Sequence, residues 1–308
     1  MEQFEKLNKS TSEELDKILG IPFKVLDKGF IRVVDYMGTD SSIVQAARVS
    51  YGVGTKQVSE DEKLIRYLLR NMHTSPFEMC EIKLHIKVPM DAWRQWIRHR
   101  TANVNEYSTR YSIAIDDSQQ TLPGEWRFQA ADNKQGSSGF VQEEEGKLLT
   151  KQEEEFHKHA RDIYNSRIEN GIAREQARKD LPLSTYTEAY WKIDLQNLLR
   201  FLKLRMDPHA QYEIRRYAEV IGEEILSKWC PLTWKAFKDY MFNSTSFSGI
   251  EMDVLKQIVS GTPEDLEKTA DESGWLKKRK DGTLVRNRER LEFEEKISKL
   301  GITAPWNK

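Results

Sequence analysis

The chain has 308 residues, of which 38% are hydrophobic and 31% charged, enough apolar material for a sizeable core. This composition excludes a wholly disordered chain. Lysine plus arginine (48) almost cancels aspartate plus glutamate (49), so the net charge of -1 excludes a uniformly basic nucleic-acid coat and a uniformly acidic tail. Two cysteines are too few for a disulfide framework, and no apolar run approaches the length of a membrane span. We therefore expect a cytoplasmic protein without a membrane partner.

The first half of the chain predicts short helices mixed with strands. Helical spacing and the breakers Gly20 and Pro22 indicate an N-terminal helical segment within 1–22. Apolar patterning then predicts strands in 23–36 and at 78–88, and helices at 41–49, 60–71 and 90–100. Because the strand at 78–88 alternates strictly, it should be half-buried, with Cys80 on its apolar face.

The second half predicts a polar excursion, several helices and a charged tail. Residues 113–147 are polar with a Gly-Ser cluster, and we interpret them as a long surface insert. Periodicity then predicts helices at 148–171, 172–180, 194–206 and 208–229, with a strand at 184–191. We divide the chain into an N-terminal helical extension (1–22), a main domain (23–242) and a charged C-terminal extension (243–308).

Arginines are concentrated between Arg94 and Tyr111, among amides, a histidine and a serine. No acid lies between Arg94 and Arg100, so the arginines at 94, 98 and 100 repel one another unless an anion binds. The alternative is a solvated face whose arginines form surface ion pairs. The amide and carboxylate groups nearby match the edge of a planar heterocycle, so the segment favours a nucleotide.

A second set of arginines lies on the later predicted helices. Arg174 and Arg178 are one helical turn apart, and Arg200 and Arg205 lie in the helix predicted at 194–206. Arg205 stands in the mainly apolar sequence Phe-Leu-Lys-Leu-Arg-Met. Its side chain therefore either extends outward to water or points at a buried ligand.

Together these motifs resemble one enzyme family. Arg98-His99-Arg100, followed after seven residues by Ser108, resembles the RHR-x7-S signature of the flavin-dependent thymidylate synthases. The flanking motifs that share the resemblance are Ala46–Ser50, His73–Glu78, Arg94–Trp96, Asn105–Glu106, Arg110–Tyr111, Ala177–Arg178, Leu181–Leu183, Leu204–Arg205 and His209–Gln211. The resemblance covers roughly residues 23–242, without most of the insert.

The resemblance implies a reaction, its cofactors and an assembly. The family methylates dUMP to dTMP with methylenetetrahydrofolate as carbon donor, and FAD that NADPH has reduced supplies the hydride. The implied fold is α+β, with a central mixed or antiparallel sheet flanked by helices. The implied assembly is a homotetramer whose FAD and dUMP sites lie where subunits meet.

The resemblance also assigns site residues by position. The expected FAD contacts are Ser50, His73, Ser75, Glu78, Arg98, His99, Arg100, Glu106, Asp194, Gln196 and Arg200. The expected dUMP contacts are Gln95, Trp96, Ile97, Arg98, Glu106, Tyr107, Ser108, Thr109, Arg110, Arg205 and, from a neighbouring subunit, Arg178. Ser108 and Arg110 suit the phosphate, and Arg205 is the expected catalytic residue that polarises the uracil ring. No GxGxxG or HExxH motif appears, so the signature arginines would bind the FAD pyrophosphate and no metal is expected.

The chemistry of uracil agrees with the role expected for Arg205. The C5 atom becomes nucleophilic when negative charge accumulates on the N3–C4–O4 side, and a guanidinium in an apolar setting stabilises that charge. No covalent enzyme nucleophile is then needed, and Cys80 and Cys230 have the sequence context of buried structural thiols. Ser108 belongs to no visible Ser-His-Asp arrangement, which favours a ligand-binding hydroxyl.

Three positions depart from the family pattern on the FAD side. Asp194 stands where Asn is usual, Gln196 where Arg is common, and Arg200 where Asn or His is common. The changes at 196 and 200 could compensate, because they move one positive charge by one helical turn.

Two other functions remain open from the sequence. A nucleic-acid-binding protein would use Trp275 as a stacking residue beside the basic side chains of Lys277–Lys280, Arg286, Arg288 and Arg290. The glutamates that follow favour a solvated helical extension instead, so we expect no nucleic-acid partner. The second alternative is a catalytically silent homologue that binds flavin.

Overall fold

A five-stranded antiparallel sheet organises the first part of the chain. The computed structural model describes residues 8–49, 58–111, 115, 117–130 and 136–307, and it divides into units at 1–242 and 243–308. The strands are β1 (Phe23–Val25), β2 (Gly29–Met37), β3 (Glu81–Pro89), β4 (Asn103–Glu106), β5 (Arg127–Gln129), β6 (Ser137–Phe140) and β7 (Tyr186–Asp194). The sheet has the order β1-β2-β3-β7-β4, and β5 pairs with β6 in a separate hairpin.

Helices surround these strands and make up half of the second unit. In the first unit they are α1 (Glu13–Asp16), α2 (Asp40–Val49), α3 (Val58–Arg70), α4 (Met90–Trp96), α5 (Glu143–Glu169), α6 (Arg174–Ala177), α7 (Leu195–Arg205), α8 (Tyr212–Val220), α9 (Ser227–Trp229) and α10 (Pro231–Phe237). The second unit contains α11 (Gly249–Ser260), α12 (Pro263–Glu272) and α13 (Arg288–Ser298). None of the helices in the described ranges has the length and apolar content that a membrane crossing requires.

Strand β3 illustrates how the sequence pattern builds the sheet. Ile82, Leu84 and Ile86 are fully buried, while the residues between them are only partly buried. Leu84 lies opposite Trp191 of β7 in antiparallel register. Because successive side chains of a strand point to opposite faces, one face of the sheet is apolar and packs in one core with α4, α7 and α8. The expected α+β fold with a central antiparallel sheet flanked by helices is confirmed.

Several predicted elements have different bounds in the structure. Helix α1 is a single turn, and β3 begins only after a 3-10 turn at Phe77–Met79. Helix α4 ends at Trp96 rather than at residue 100, and the His99 amide donates to the Trp96 carbonyl at 3.0 Å. This tight turn satisfies a carbonyl at the helix end and leads the chain into β4.

Helix α7 follows β7 without an intervening loop. Asp194 ends the strand and caps the helix, since its carboxylate accepts from the Asn197 backbone amide at 2.9 Å. The apolar residues Leu198 and Phe201 bury one face of α7 in the core. The helix ends at Arg205, and its path is therefore fixed at both the cap and the buried face.

The described parts of the predicted insert are folded. The β5–β6 hairpin lies within it, and α5 begins at Glu143, inside the segment expected to be an excursion. Trp126 Nε1 donates to Thr150 Oγ1 at 3.0 Å, and Thr150 donates to the Thr121 carbonyl at 2.7 Å. These bonds connect the insert to α5.

The second unit has an apolar core of its own. Val254, Trp275 and Phe293 are at most 1% exposed. Arg290 is also buried, and its Nη1 donates to the Trp275 carbonyl at 2.7 Å. The alternative in which Trp275 stacks on a nucleic-acid base is contradicted, because the indole ring fills the core and has no open face.

Candidate active site

The guanidinium of Arg205 lies at the end of α7, against the end of α4. Its Nε donates to His99 Nε2 at 3.0 Å. Its Nη1 and Nη2 donate at 3.4 Å to the side-chain and main-chain oxygens of Gln95. The side chain is half-buried, and burial lowers the pKa of Arg205. Because a guanidinium stays protonated in proteins, this is a fixed positive charge with reduced solvation.

His99 is the neutral acceptor in this arrangement. Burial, and then the positive charge of Arg205, lower the pKa of His99 to about 4. Because Nε2 accepts from Arg205, the proton of the neutral ring is on Nδ1. The ring also packs edge-on against Phe201, with centroids 4.9 Å apart. A neutral imidazole held this way orients Arg205 without adding a second positive charge.

Two glutamines extend the hydrogen bonding away from Arg205. Gln95 Nε2 donates to Gln211 Oε1 at the start of α8. Gln211 Nε2 in turn donates to Asp91 Oδ2 at 2.8 Å. Three helices, α4, α7 and α8, therefore meet through polar side chains beside Arg205.

Three arginines in or just after α4 are free of ion pairs with the described parts of the chain. Arg94, Arg98 and Arg100 are exposed, and none of them forms an ion pair with a residue that the structure describes. Among the residues that the structure describes, the surface ion pairs of the alternative interpretation are not formed. Unpaired guanidinium groups suit a pyrophosphate, so the donor set fits the FAD that the resemblance implies.

The segment after β4 carries residues expected at dUMP. Glu106 ends β4, and its Oε1 accepts from Thr187 Oγ1 of β7 at 2.9 Å. Ser108 Oγ accepts from the Arg110 amide at 3.4 Å, while the Arg110 side chain is exposed. The turn thus presents a hydroxyl and a guanidinium close together in sequence.

The second arginine pair contacts this same segment. Arg178 Nη1 donates to Thr109 Oγ1, and Arg174 Nη1 donates to the Tyr111 carbonyl at 2.7 Å. The resemblance expects Arg178 at the dUMP of a neighbouring subunit. Within one chain, it lies instead beside Thr109, in the turn that carries the expected phosphate contacts.

Two sequence comparisons decide the family. Residues 32–232 match the family model described as thymidylate synthase complementing protein. A relative named flavin-dependent thymidylate synthase from Wolbachia pipientis wMel is 52% identical over 257 residues, which cover 83% of this chain and 90% of that protein. The chain belongs to the flavin-dependent thymidylate synthase family. A protein of the same name from Rickettsia conorii is 50% identical over 282 residues, covering 87% of this chain and 94% of that protein.

A solved structure shares the architecture of this family member. The UMP/dUMP methylase PolB from Streptomyces cacaoi, bound with 5-Br dUMP, aligns with a TM-score of 0.65 and 27% sequence identity. The alignment covers 72% of this chain and 100% of that chain. The expected family and the expectation of an enzyme are therefore confirmed.

The family's FAD residues from the first half of the chain lie at the surface. His73, Ser75 and Glu78 are exposed between α3 and β3, and the His73 ring stacks on Tyr67 with centroids 5.8 Å apart. Ser50 lies outside the described residues. The contact of these side chains with FAD stays a prediction.

The three positions that depart from the family pattern have different environments. Asp194 caps α7, Gln196 is 3% exposed, and Arg200 is exposed. Of the three, Arg200 has the side chain that is open to a ligand. The positive charge that Gln196 lacks would therefore be supplied by Arg200, one helical turn later.

Two expected dUMP neighbours differ in exposure. Trp96 is fully buried and packs against Trp191 and Phe201 at centroid distances of 5.2 and 4.9 Å. Its side chain has no open face, so its placement favours a supporting role in the core over direct contact with dUMP. Ile97 and Tyr107, in contrast, are exposed at 44% and 39%.

Both cysteines are buried, as predicted. Cys80 and Cys230 have no exposed surface. Burial, the neighbouring Cys80 thiol and the negative charge of Asp40 raise the pKa of Cys230. A neutral thiol inside a core lacks the thiolate character of an activated nucleophile.

Sequence reasoning missed three polar residues that contact expected site residues. Gln211 stands in the His209–Gln211 motif, which was a usable signal, but it received no role. Asp91 and Thr187 gave no signal, since their contacts depend on how α4, α8 and β7 pack together.

Surface depressions alone do not locate the site. One of about 220 Å³ is lined by Glu106 and Tyr107 together with His85, which the sequence left without a role. A larger groove of about 830 Å³ lies within the second unit, along α12 and Trp306. Because no expected site residue that the structure describes lines the larger groove, chemistry is the better guide than volume.

Proposed function

We propose that this chain methylates dUMP to dTMP, with methylenetetrahydrofolate as carbon donor and NADPH as source of reducing equivalents. Membership of the flavin-dependent thymidylate synthase family supports the reaction class. The similarity to a dUMP methylase bound with 5-Br dUMP supports the substrate. The observation that carries the proposal is the half-buried guanidinium of Arg205, held by His99 and Gln95.

Arg205 is the proposed catalytic residue. Attack by uracil C5 on the carbon donor requires negative charge to move toward N3, C4 and O4 of the ring. A guanidinium fixed in advance stabilises that charge more effectively than mobile water. The neutral state of His99 supports this role, because its Nε2 can then accept from Arg205 and hold the guanidinium, whereas an imidazolium would repel it.

The dUMP phosphate is proposed to bind at the turn after β4. Ser108 offers a hydroxyl donor, and Arg110 offers an exposed guanidinium. Arg178 donates to Thr109, which belongs to this turn, and this contact supports a role for Arg178 in binding the phosphate. Together these groups supply the charge-assisted hydrogen bonds that a phosphate prefers.

The exposed guanidinium groups of Arg98 and Arg100 are proposed to hold the FAD pyrophosphate. His73, Ser75, Glu78 and Arg200 would complete the flavin and nucleotide contacts by the family pattern. When bound, FAD supplies the hydride that turns the transferred one-carbon unit into a methyl group. The chain's own task is to bind, orient and neutralise the negative charge of both nucleotides.

No covalent cysteine takes part in the proposed reaction. Cys80 and Cys230 are buried, and the raised pKa of Cys230 keeps its thiol neutral. With Arg205 stabilising charge on the ring, C5 becomes nucleophilic without prior attack on the base. Simultaneous replacement of both cysteines by alanine should therefore leave the turnover of the folded protein unchanged.

We also propose a homotetramer with shared sites. The expected ligand residues His73, Glu78, Arg98 and Arg100 are exposed on the single chain, as expected for groups that a second chain encloses. Analytical ultracentrifugation of the FAD-bound protein measures the assembly directly. A monomer that turns over dUMP would contradict this part of the proposal.

The test of the reaction is release of tritium from [5-³H]dUMP together with formation of dTMP. We expect both to require methylenetetrahydrofolate and NADPH, and the purified protein to show flavin absorbance. A flavin-bound protein that releases no tritium would be the silent homologue. A protein that neither binds flavin nor releases tritium would overturn the proposal.

A further inference from the structure

A directed series of hydrogen bonds leads from Asp91 to the expected catalytic arginine. Asp91 Oδ2 accepts from Gln211 Nε2 at 2.8 Å, and Gln211 Oε1 accepts from Gln95 Nε2. Gln95 Oε1 then accepts from Arg205 Nη1 at 3.4 Å. The series joins the first turn of α4 to the last turn of α7 through the start of α8.

The hydrogen-bonding chemistry of Asp91 and Arg205, the two ends of the series, determines which group donates and which accepts at every step between them. An ionised carboxylate only accepts hydrogen bonds, and a guanidinium only donates them. Each glutamine amide between them has a donor end and an acceptor end. Only one orientation of the two amides therefore satisfies every contact, and it places the Gln95 oxygen toward Arg205.

The structure holds the carboxylate of Asp91 in place for this task. Its Oδ1 accepts from the Ala92 amide at 2.7 Å, and its own amide donates to the Leu183 carbonyl at 3.0 Å. Burial raises the pKa of Asp91, whereas the hydrogen bonds from Ala92 and Gln211 favour the ionised form. The acceptor-only end of the series is therefore anchored.

The neighbouring acid is neutralised by the insert. Glu213 lies on α8 two residues after Gln211, and its negative charge raises the pKa of Asp91. Arg127 of β5 pairs with Glu213 at 2.9 Å. This ion pair reduces the repulsion that would otherwise favour protonation of Asp91.

The geometry points to Asp91 as a positioning residue that fixes the direction in which Gln95 and Arg205 face the uracil ring. The inference rests on the proposed function, because it assigns Arg205 to the uracil. Without an acceptor-only group at position 91, the Gln211 amide can turn, and the Gln95 amide can then present its nitrogen to Arg205. Two donors would face each other, and the guanidinium would lose its fixed orientation.

Asp91→Asn is the decisive variant, since it keeps the size of the side chain but can donate as well as accept. We expect single-turnover dTMP formation to fall about tenfold or more, as for the loss of a hydrogen bond to a charged group. The rate at which NADPH reduces the flavin without dUMP, and the melting temperature, should stay close to the starting protein. Asp35→Asn is the matched control, because Asp35 also accepts from the next backbone amide, at 2.9 Å, but contacts none of these residues.

A double-mutant cycle separates positioning from a general structural effect. If Asp91 acts through Arg205, then Asp91→Asn should add almost nothing to the loss already caused by Arg205→Ala. Additive losses would overturn the inference, and so would a dTMP rate for Asp91→Asn equal to that of the Asp35→Asn control.

A readout without turnover keeps the inference apart from the proposed reaction. The Arg205 Nε–H NMR signal, assigned by its disappearance in Arg205→Ala, should exchange faster with water in Asp91→Asn than in Asp35→Asn. Faster exchange in a protein that makes no dTMP would reject the proposed reaction but keep the positioning role. Unchanged exchange would overturn that role whatever the reaction.

Discussion

The turn after α4 and helix α13 both carry closely spaced arginines, but the acids that the structure describes neutralise only those of α13. Arg288 lies 2.8 Å from Glu292, and Arg290 lies 3.2 Å from Glu294, each pair one helical turn apart. Arg98 and Arg100 have no ion-pair partner among the residues that the structure describes. Arginine density therefore does not predict a binding site by itself; the absence of acids at helical spacing is the better indication.

Replacement of Arg205 should have the largest effect of all, and that effect is on the rate of dTMP formation. Arg205→Ala should lower the rate of dTMP formation by about 100- to 1,000-fold, because a charge fixed in advance at the reacting ring is lost. Single-turnover kinetics with dUMP in excess measure this rate. Arg288→Ala is the control and should leave it unchanged, since that pair is exposed. Equal rates for the two variants would remove the distinction between the regions.

Of the two ion-paired arginines in α13, Arg290 should have the larger effect when it is replaced. That effect is on the stability of the second unit. Arg290→Ala should lower the unfolding free energy of the second unit by about 3 kcal/mol, because the Trp275 carbonyl and the Glu294 carboxylate lose a buried partner. Hydrogen exchange of residues 243–308 in the intact chain measures the loss. Flavin content should stay unchanged, and a loss of flavin without faster exchange would contradict this assignment.

Replacement of Arg98 tests whether its exposed guanidinium binds FAD. Arg98→Ala should weaken FAD binding about 10- to 100-fold, the range for a hydrogen bond to a charged group. Titration of the apo-protein with FAD measures it, with Arg288→Ala as the matched exposed arginine. Arg200→Ala should also weaken FAD binding if position 200 replaces the charge missing at 196. Unchanged flavin occupancy in Arg200→Ala would reject that compensation.

The smallest expected effect concerns the protonation of His99 and its contribution to stability. Because burial and Arg205 hold it at about 4, the ring should stay neutral from pH 8 down to roughly pH 5. The unfolded chain takes up this proton at higher pH, so the contribution of His99 to stability should fall as the pH drops below about 6.5. Arg205→Ala removes one of the two causes and should raise the pKa. NMR titration of the His99 ring checks both statements, and a pKa unchanged by Arg205→Ala would contradict the assigned contact.

Much of the fold was predictable because local patterns agree with tertiary packing. The alternation around Leu84 and Ile86 predicts a half-buried strand, and β3 is one. The bounds of α4 were less predictable, because its helical pattern continues beyond Trp96 while the chain must turn into β4. The order within the insert was not predictable, since Trp126 and Thr150 form a contact that polar composition does not reveal.

The candidate site was predictable only where a motif carried it. The RHR-x7-S signature identified the segment from Arg98 to Ser108, and the sequence narrowed Arg205 to two alternatives. In the structure the guanidinium lies half-buried against His99 and Gln95, and its contact with a ligand stays a prediction. The motif does not show which of its side chains are exposed. For this reason Trp96 was expected at the ligand, although its side chain fills the core.

The sequence by itself determined the family, the α+β class and the set of charged groups that we expect to bind two nucleotides. These properties follow from residue identity and spacing, which are local. The tertiary structure decided which charges stay free, which tautomer His99 adopts and which carboxylate ends the series at Asp91. Those properties depend on contacts between helices far apart in the chain, since only packing determines which donor meets which acceptor.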